Sequence, residues 1–212
     1  MGITLYHGHG SPYGWRVWLA LEHKKLDYSV KVLSFSAGDT RSPEFLKLNP
    51  RHKAPVIVDG EFVLYESSAI IEYLEECFPA PAMLPAETRQ RAVARRLIRE
   101  ADQYFGTAMN SLVRQVFFKP QAEQDSGEIA GAADTCGAEL AYLEQQLQGD
   151  FFVGALSAVD FTVYPLIALT LRIEKRQPSV PIARMIGPHL AAWMKRMEAL
   201  PYFSKTYPPH WR

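Results

Sequence analysis

The most restrictive feature of this chain is a change of hydrophobic rhythm across 78–86 (FPAPAMLPA), where three prolines stand within nine residues. Upstream, segments that alternate with period two are interleaved with segments that step by three and four. Downstream, only the helical step remains. A proline-rich stretch is extended and semi-rigid, and it favours a domain boundary. Residues 1–78 are therefore expected to form a mixed α/β domain, 79–86 a linker, and 87–212 an all-helical domain.

Within the first domain the order reads β-α-β-α-β-β-α. ITLYH at 3–7 is a short strand closed by Gly8, His9, Gly10, Ser11 and Pro12. WRVWLALEH at 15–23 carries apolar residues at helical spacing, and YSVKV at 28–32 alternates as a half-buried strand does. Ser42 and Pro43 open a short helix, one as cap and the other in the first turn. PVIV at 55–58 and FVLY at 62–65 are joined through Asp59-Gly60, a hairpin signal. Ile70, Tyr73, Leu74 and Cys77 then share one helix face. A small sheet layered with helices buries all these faces.

In the second domain Val93, Leu97, Ala101, Phe105, Met109, Leu112 and Val116 make one helical stripe. Ile129, Ala133, Cys136, Leu140, Leu143 and Leu147 make another. Ser157 and Asp160 form a capping box ahead of an apolar helix at 161–171, which Pro165 should kink. Leu190, Trp193, Met194, Met197 and Leu200 mark a last helix, ended by Pro201.

Charge limits the partners. Lys+Arg and Asp+Glu balance at 23 each, so no net field recruits nucleic acid or an anionic membrane. No apolar run reaches membrane-spanning length, and no basic stretch leads an apolar one at the start. Cys77 and Cys136 lie far apart in apolar surroundings and read as reduced thiols. The expectation is a soluble cytoplasmic protein whose partner binds in a local pocket.

Three corners carry the chemistry. Ser11 stands at the strand-to-helix corner, where thiol-redox proteins of this element order place a Cys-x-x-Cys pair; Ser11 and Gly14 hold the two cysteine positions. A hydroxyl there can donate to a sulfur brought in by a ligand, and the helix start favours the anion. Together they could lower a thiol pKa by about one or two units from about 8.5. Ser11 could equally be an N-cap alone. Lys53-Ala54-Pro55 opens a strand with a proline, a candidate cis bond that would offer the Ala54 backbone to an extended peptide. Lys53 could meet a carboxylate. Glu66 and Ser67 start a helix, with backbone N–H groups for a carboxylate and an acidic side chain for an ammonium. Each corner alone also reads as ordinary structure. In combination they suit a small zwitterionic peptide that contains cysteine.

Four stretches, SPYGWRVWLALE at 11–22, LNPRHKAPVIVDG at 48–60, YESSAIIEYLEE at 65–76 and GALSAVDFTVYP at 154–165, resemble cytosolic glutathione transferases. The Ser-Pro-aromatic-Gly-x-Arg-Val run is most similar to the serine-type classes, tau and zeta among them. The resemblance implies a thioredoxin-like N-terminal domain, an all-α C-terminal domain and a homodimer. It implies that Ser11 stabilises the glutathione thiolate. Lys53 would bind the glycyl carboxylate, Ala54 before a cis Pro55 the cysteinyl backbone, and Glu66 and Ser67 the γ-glutamyl end. Arg41 matches a basic position found in some members. Tyr6 lies near the tyrosine of the tyrosine-type classes and is read here as a structural strand residue.

The expected activity is conjugation of the glutathione thiolate to an apolar small electrophile, with glutathione as co-substrate and no metal or redox cofactor. The alternatives are a zeta-like glutathione-dependent isomerase and a non-catalytic glutathione-binding protein. Pro12, Tyr104, Asn110, Arg114 and Phe117 are candidates for the electrophile pocket. His7 and His9 share one strand parity but make a poor metal site, and they read as solvated or loop histidines. Arg91, Arg95, Arg96 and Arg99 read as a solvated helix face beside Glu87 and Glu100.

Overall fold

The computed structural model describes residues 2–147 and 149–212. The chain forms two compact units, Met1–Leu84 with Pro201–Arg212, and Pro85–Leu200.

The first unit is built on a four-stranded sheet in the order β2-β1-β3-β4. Strand β1 (Ile3–His7) pairs in parallel with β2 (Tyr28–Val32), and helix α1 (Pro12–His23) makes the crossover. A 3-10 turn (Asp39–Arg41) and α2 (Pro43–Leu48) follow, then β3 (Val56–Asp59), β4 (Phe62–Tyr65) and α3 (Ser67–Cys77). Strand β3 runs antiparallel to both β1 and β4, with Tyr6 opposite Val56 and Val56 opposite Tyr65. The period-two alternation of β1 sorts its side chains between two layers. Ile3, Leu5 and His7 are buried on one face, where the His7 ring meets Trp18 of α1 at 5.0 Å. Tyr6 points to the other face and meets Phe45 of α2 at 6.3 Å.

The unit is closed by a buried cation. The Lys24 side chain, fully shielded from water, donates to Glu75 at 2.7 Å and to the carbonyls of Phe78 and Pro81. Glu75 in turn accepts from the backbone N–H groups of Met83 and Leu84. The proline stretch is thus held through its carbonyls and N–H groups rather than left extended.

Residues 201–212 depart from the sequence expectation, which placed them with the helical domain. They pack in the first unit instead. The Trp15 indole donates to the Thr206 hydroxyl at 3.0 Å, and its rings meet Phe203, Tyr207 and Trp211 within 6 Å. Lys205 pairs with Glu22 at 2.5 Å. These aromatic residues belong to no helical stripe and bury themselves against α1. Cys77 also differs from expectation, since it is exposed, whereas Cys136 is buried and burial pushes its thiol up to about 12.

The second unit is helical. Helix α4 (Thr88–Glu100) continues through a π-helical turn (Ala101–Phe105) into α5 (Gly106–Val113) and a second π turn (Arg114–Phe118). Then come α6 (Ser126–Gln146), α7 (Ala158–Arg176), α8 (Ile182–Met185) and α9 (Pro188–Glu198). The second stripe is buried throughout, and the first is buried except at Val93, which stays 43% exposed. Helix α7 passes through Pro165 as one helix.

Asp160 organises the centre of this unit. It is fully buried and accepts from the Ser157 N–H and hydroxyl at 2.8 and 2.7 Å, from Phe152 N–H at 3.3 Å and from the Trp193 indole at 2.8 Å. Burial pushes its carboxyl up to about 6 against these four donors, which favour the ionised form. Asp160→Ala would strand three buried N–H groups, and we expect a loss of about 2–4 kcal/mol. A lowered urea midpoint measures this; a variant that unfolds like the parent chain would refute it.

Candidate active site

The ladder register brings the three corners to one end of the sheet. Tyr6, Val56 and Tyr65 lie side by side across β1, β3 and β4. Because β3 is antiparallel to its neighbours, the end of β1, the start of β3 and the end of β4 share that edge. Beyond Tyr6 the chain reaches Ser11; before Val56 stand Ala54 and Pro55; after Tyr65 come Glu66 and Ser67. Parallel pairing adds a fourth connection, since His7 is opposite Val32 and the chain leaves β2 here toward Arg41.

Ser11 caps α1 in extended backbone conformation (φ −75°, ψ 120°), and its hydroxyl oxygen accepts from Gly14 N–H at 3.4 Å. That bond is long and uses one lone pair, so the hydroxyl hydrogen remains available to donate. Capping and donation to an anion are compatible roles for one side chain. Gly14 is required by its neighbour, because a Cβ there would stand 2.8 Å from His7 Nδ1. Pro12 is buried in the first turn of α1. Arg16 is also buried and lays its guanidinium 5.1 Å from the Tyr13 ring centre.

The Ala54–Pro55 bond is cis. Lys53 is exposed, and the loop that presents it hangs on Asn49, which is 1% exposed. Asn49 donates from its amide to the Lys53 carbonyl at 2.7 Å and accepts from Arg51 N–H at 2.9 Å. The sequence reading did not single out this asparagine; its only signal was an Asn-Pro step after an apolar helix.

Glu66 occupies a positive φ of 73°, rare for a residue with a side chain, and makes no side-chain cap to α3. Its carboxylate is exposed while Ser67 is buried behind it. The helix start thus keeps its N–H groups available for an anion. Arg41 is exposed at the end of its 3-10 turn.

His7 overturns the solvated reading. It is 2% exposed, and neither ring nitrogen has a hydrogen-bond partner among the described residues. Burial, then the neighbouring His9, push its pKa down to about 4, so it is neutral at pH 7. Burial and His210 lower His9 as well. No group of three or more His, Cys, Asp or Glu among the described residues could hold a metal ion.

On the helical unit the electrophile candidates do not share one lining. Tyr104, half exposed, lines a groove of about 510 Å³ with Thr107, Ser111, Glu128 and Ala132. Asn110 is exposed. Arg114 is drawn into an ion pair with Glu128, which also accepts from Ser111 and Gln115. Phe117 lies beneath the Arg176 guanidinium at 4.8 Å. The Tyr6 hydroxyl accepts from Lys31 at 3.2 Å, on the sheet face opposite His7.

Comparison with known proteins bears on this geometry. The N-terminal domain model of glutathione S-transferases matches residues 10–77, and the C-terminal domain model matches 107–201. Glutathione S-transferase 3 of Zea mays is 30% identical over 215 residues, covering 96% of this chain and 92% of that protein. A probable maleylacetoacetate isomerase of Vibrio cholerae is 29% identical over 214 residues, covering 98% and 96%. The crystal structure of a glutathione S-transferase from the Antarctic clam Laternula elliptica superposes with a TM-score of 0.83 at 31% identity, covering 100% of this chain and 94% of that one. The chain belongs to the glutathione S-transferase family, and it is a transferase that uses glutathione.

The positive φ of Glu66 gives a direct test of backbone strain. A side chain in this region of φ costs about 1–3 kcal/mol, and glycine avoids most of it. Glu66→Gly should therefore raise the thermal midpoint. Calorimetry reads the midpoint, and a variant no more stable than the parent would contradict the strain.

Proposed function

We propose that this enzyme is a serine-type glutathione transferase in which Ser11 donates a hydrogen bond to the glutathione sulfur and stabilises it as thiolate. The observation that carries the reading is the Tyr6–Val56–Tyr65 register, which gathers Ser11, Ala54-Pro55 and Glu66-Ser67 at one sheet edge. The ligand offers one group for each corner: a thiol for the first, a peptide backbone for the second, an amino-acid head group for the third. Lys53 supplies a charge for the glycyl carboxylate. Ala54 supplies backbone for the cysteinyl residue. Glu66 receives the γ-glutamyl ammonium and the α3 start its carboxylate, and Arg41 adds positive charge nearby.

The chemistry asks little more of the protein. A thiol near pKa 8.5 is only a few per cent ionised at neutral pH. A charge-assisted bond from Ser11, with the α1 start, lowers that value by about one or two units, and the thiolate then attacks an electrophilic carbon. The neutral His7 beneath the corner adds no positive charge to help stabilise the sulfur. For the apolar electrophile, Tyr104 and Asn110 are the exposed candidates on the helical unit. Arg114 and Phe117 are engaged elsewhere. The chain is read as a cytoplasmic homodimer; among the described residues no helix is long and apolar enough to cross a membrane.

A second reading is glutathione-dependent isomerisation, favoured by the full-length likeness to the Vibrio cholerae protein. There the thiolate adds to and leaves the substrate, so glutathione is not consumed. Measured glutathione consumption separates the two.

Ser11→Ala should raise the pKa of the bound glutathione thiol by about one to two units and lower kcat/KM at neutral pH by about 10- to 100-fold. Tyr6→Phe should shift the thiol pKa by less than about 0.3 units and kcat/KM by less than about twofold, because its hydroxyl lies on the sheet face opposite His7. Thiolate absorbance followed against pH reads the first effect. An unaltered titration in Ser11→Ala, or a collapse in Tyr6→Phe, would reverse the assignment.

A further inference from the structure

Ser11 follows a turn whose back is covered by residues from the far end of the chain. Gly8, His9, Gly10 and Ser11 form a four-residue turn closed by the Ser11 N–H on the Gly8 carbonyl at 3.1 Å. Gly10, its third residue, has φ +85°, the value that such turns reserve for glycine. The outer side of Gly10 is not open. A Cβ built there would stand 3.2 Å from His210 Nε2 and 3.4 Å from Trp211 Nε1. Both belong to the 3-10 turn Pro209–Trp211.

That turn is itself anchored. Trp211 is 8% exposed and meets the Trp15 and Tyr207 rings edge-on at 5.8 and 6.2 Å. Helix α10 (Phe203–Thr206), just before it, is tied to α1 by the Trp15–Thr206 hydrogen bond. His210 remains exposed to solvent, with one edge against Gly10. On the inner side His7 presses on Gly14, whose N–H holds the Ser11 oxygen. Ser11 is therefore bracketed by two glycines. His7 confines one; His210 and Trp211 confine the other.

We propose that the turn Pro209–Trp211 positions Ser11 through Gly10, fixing the peptide that leads into the serine and so the aim of its hydroxyl. The proposal rests on the reading of Ser11 as the thiolate donor. A glycine has no side chain to hold itself in place, so its neighbours must confine it. A hydrogen bond to sulfur loses strength as its angle opens, and a misplacement of about 1 Å can cost a catalytic site up to about 100-fold.

The test uses His210→Ala and Trp211→Ala in the full chain, with Ser11→Ala and the double variant Ser11→Ala/His210→Ala beside them. In both single variants the bound glutathione thiol should titrate about half a unit to one unit higher. The value of kcat should fall about three- to tenfold, and the KM for glutathione should stay within about twofold, because the other two corners are untouched. His210→Ala trims an exposed side chain and should melt like the parent, so its kinetic effect cannot come from unfolding. Trp211→Ala should melt earlier. If the turn acts through Ser11, the double variant is no slower than Ser11→Ala alone. An unmoved thiol titration in both single variants, or additive losses in the double, would overturn the positioning role. Should Ser11→Ala itself leave the titration unmoved, the reading of Ser11 fails first and the positioning role falls with it.

Discussion

Burial of alternate side chains on β1 fixes one register between β1, β3 and β4, and the candidate-site end of the first unit follows from it. With Tyr6 opposite Val56 and Val56 opposite Tyr65, three connections must leave the same edge. A slip of one residue would turn Ile3, Leu5 and His7 out of the layer that faces α1 and Tyr6 into it. The buried alternation of β1 therefore protects the juxtaposition of Ser11, Ala54-Pro55 and Glu66-Ser67 as firmly as any contact among those residues. Each corner then needs only local help: a cap for Ser11, the Asn49 amide for the Lys53 loop, and an unusual φ for Glu66.

Local help of this kind carries a cost that the rest of the unit offsets. Glu66 holds a backbone conformation that glycine would adopt more easily, and neither ring nitrogen of the buried His7 finds a hydrogen-bond partner among the described residues. Each disfavours folding by about 1–3 kcal/mol. Against them stand the apolar cores of α1 and α3, the aromatic cluster around Trp15 and the buried Lys24–Glu75 pair. Such a pair is stabilising only while its remaining donors and acceptors are met, and here carbonyls of Phe78 and Pro81 and N–H groups of Met83 and Leu84 meet them.

Much of this was legible in the residues. The helices and strands announced themselves through period and punctuation, as at Asp59-Gly60 and at Ser42-Pro43. The Ser157–Asp160 box was readable because a cap is a contact between near neighbours in sequence. Other features were not. Asn49 drew no reading, because an Asn-Pro step alone does not say that the asparagine amide will hold the Lys53 loop. His7 and His9 looked solvated, because period two says which face a residue takes but not how deeply that face is covered. Residues 201–212 looked like an end to the helical domain, since nothing local to Thr206 or Trp211 names Trp15 as their partner. Arg114 looked available until Glu128, on another helix, claimed it.

The sequence by itself determined the element types, the change of regime at the prolines and the residue kinds offered at each corner. Those are short-range properties, set by steric preference, capping and the matching of apolar spacing to helix or strand. Only the tertiary structure decided which corners share an edge and that His210 and Trp211 stand behind Gly10. Those are long-range pairings. They arise when sheet register and burial close the chain on itself, and no window of neighbouring residues contains both partners.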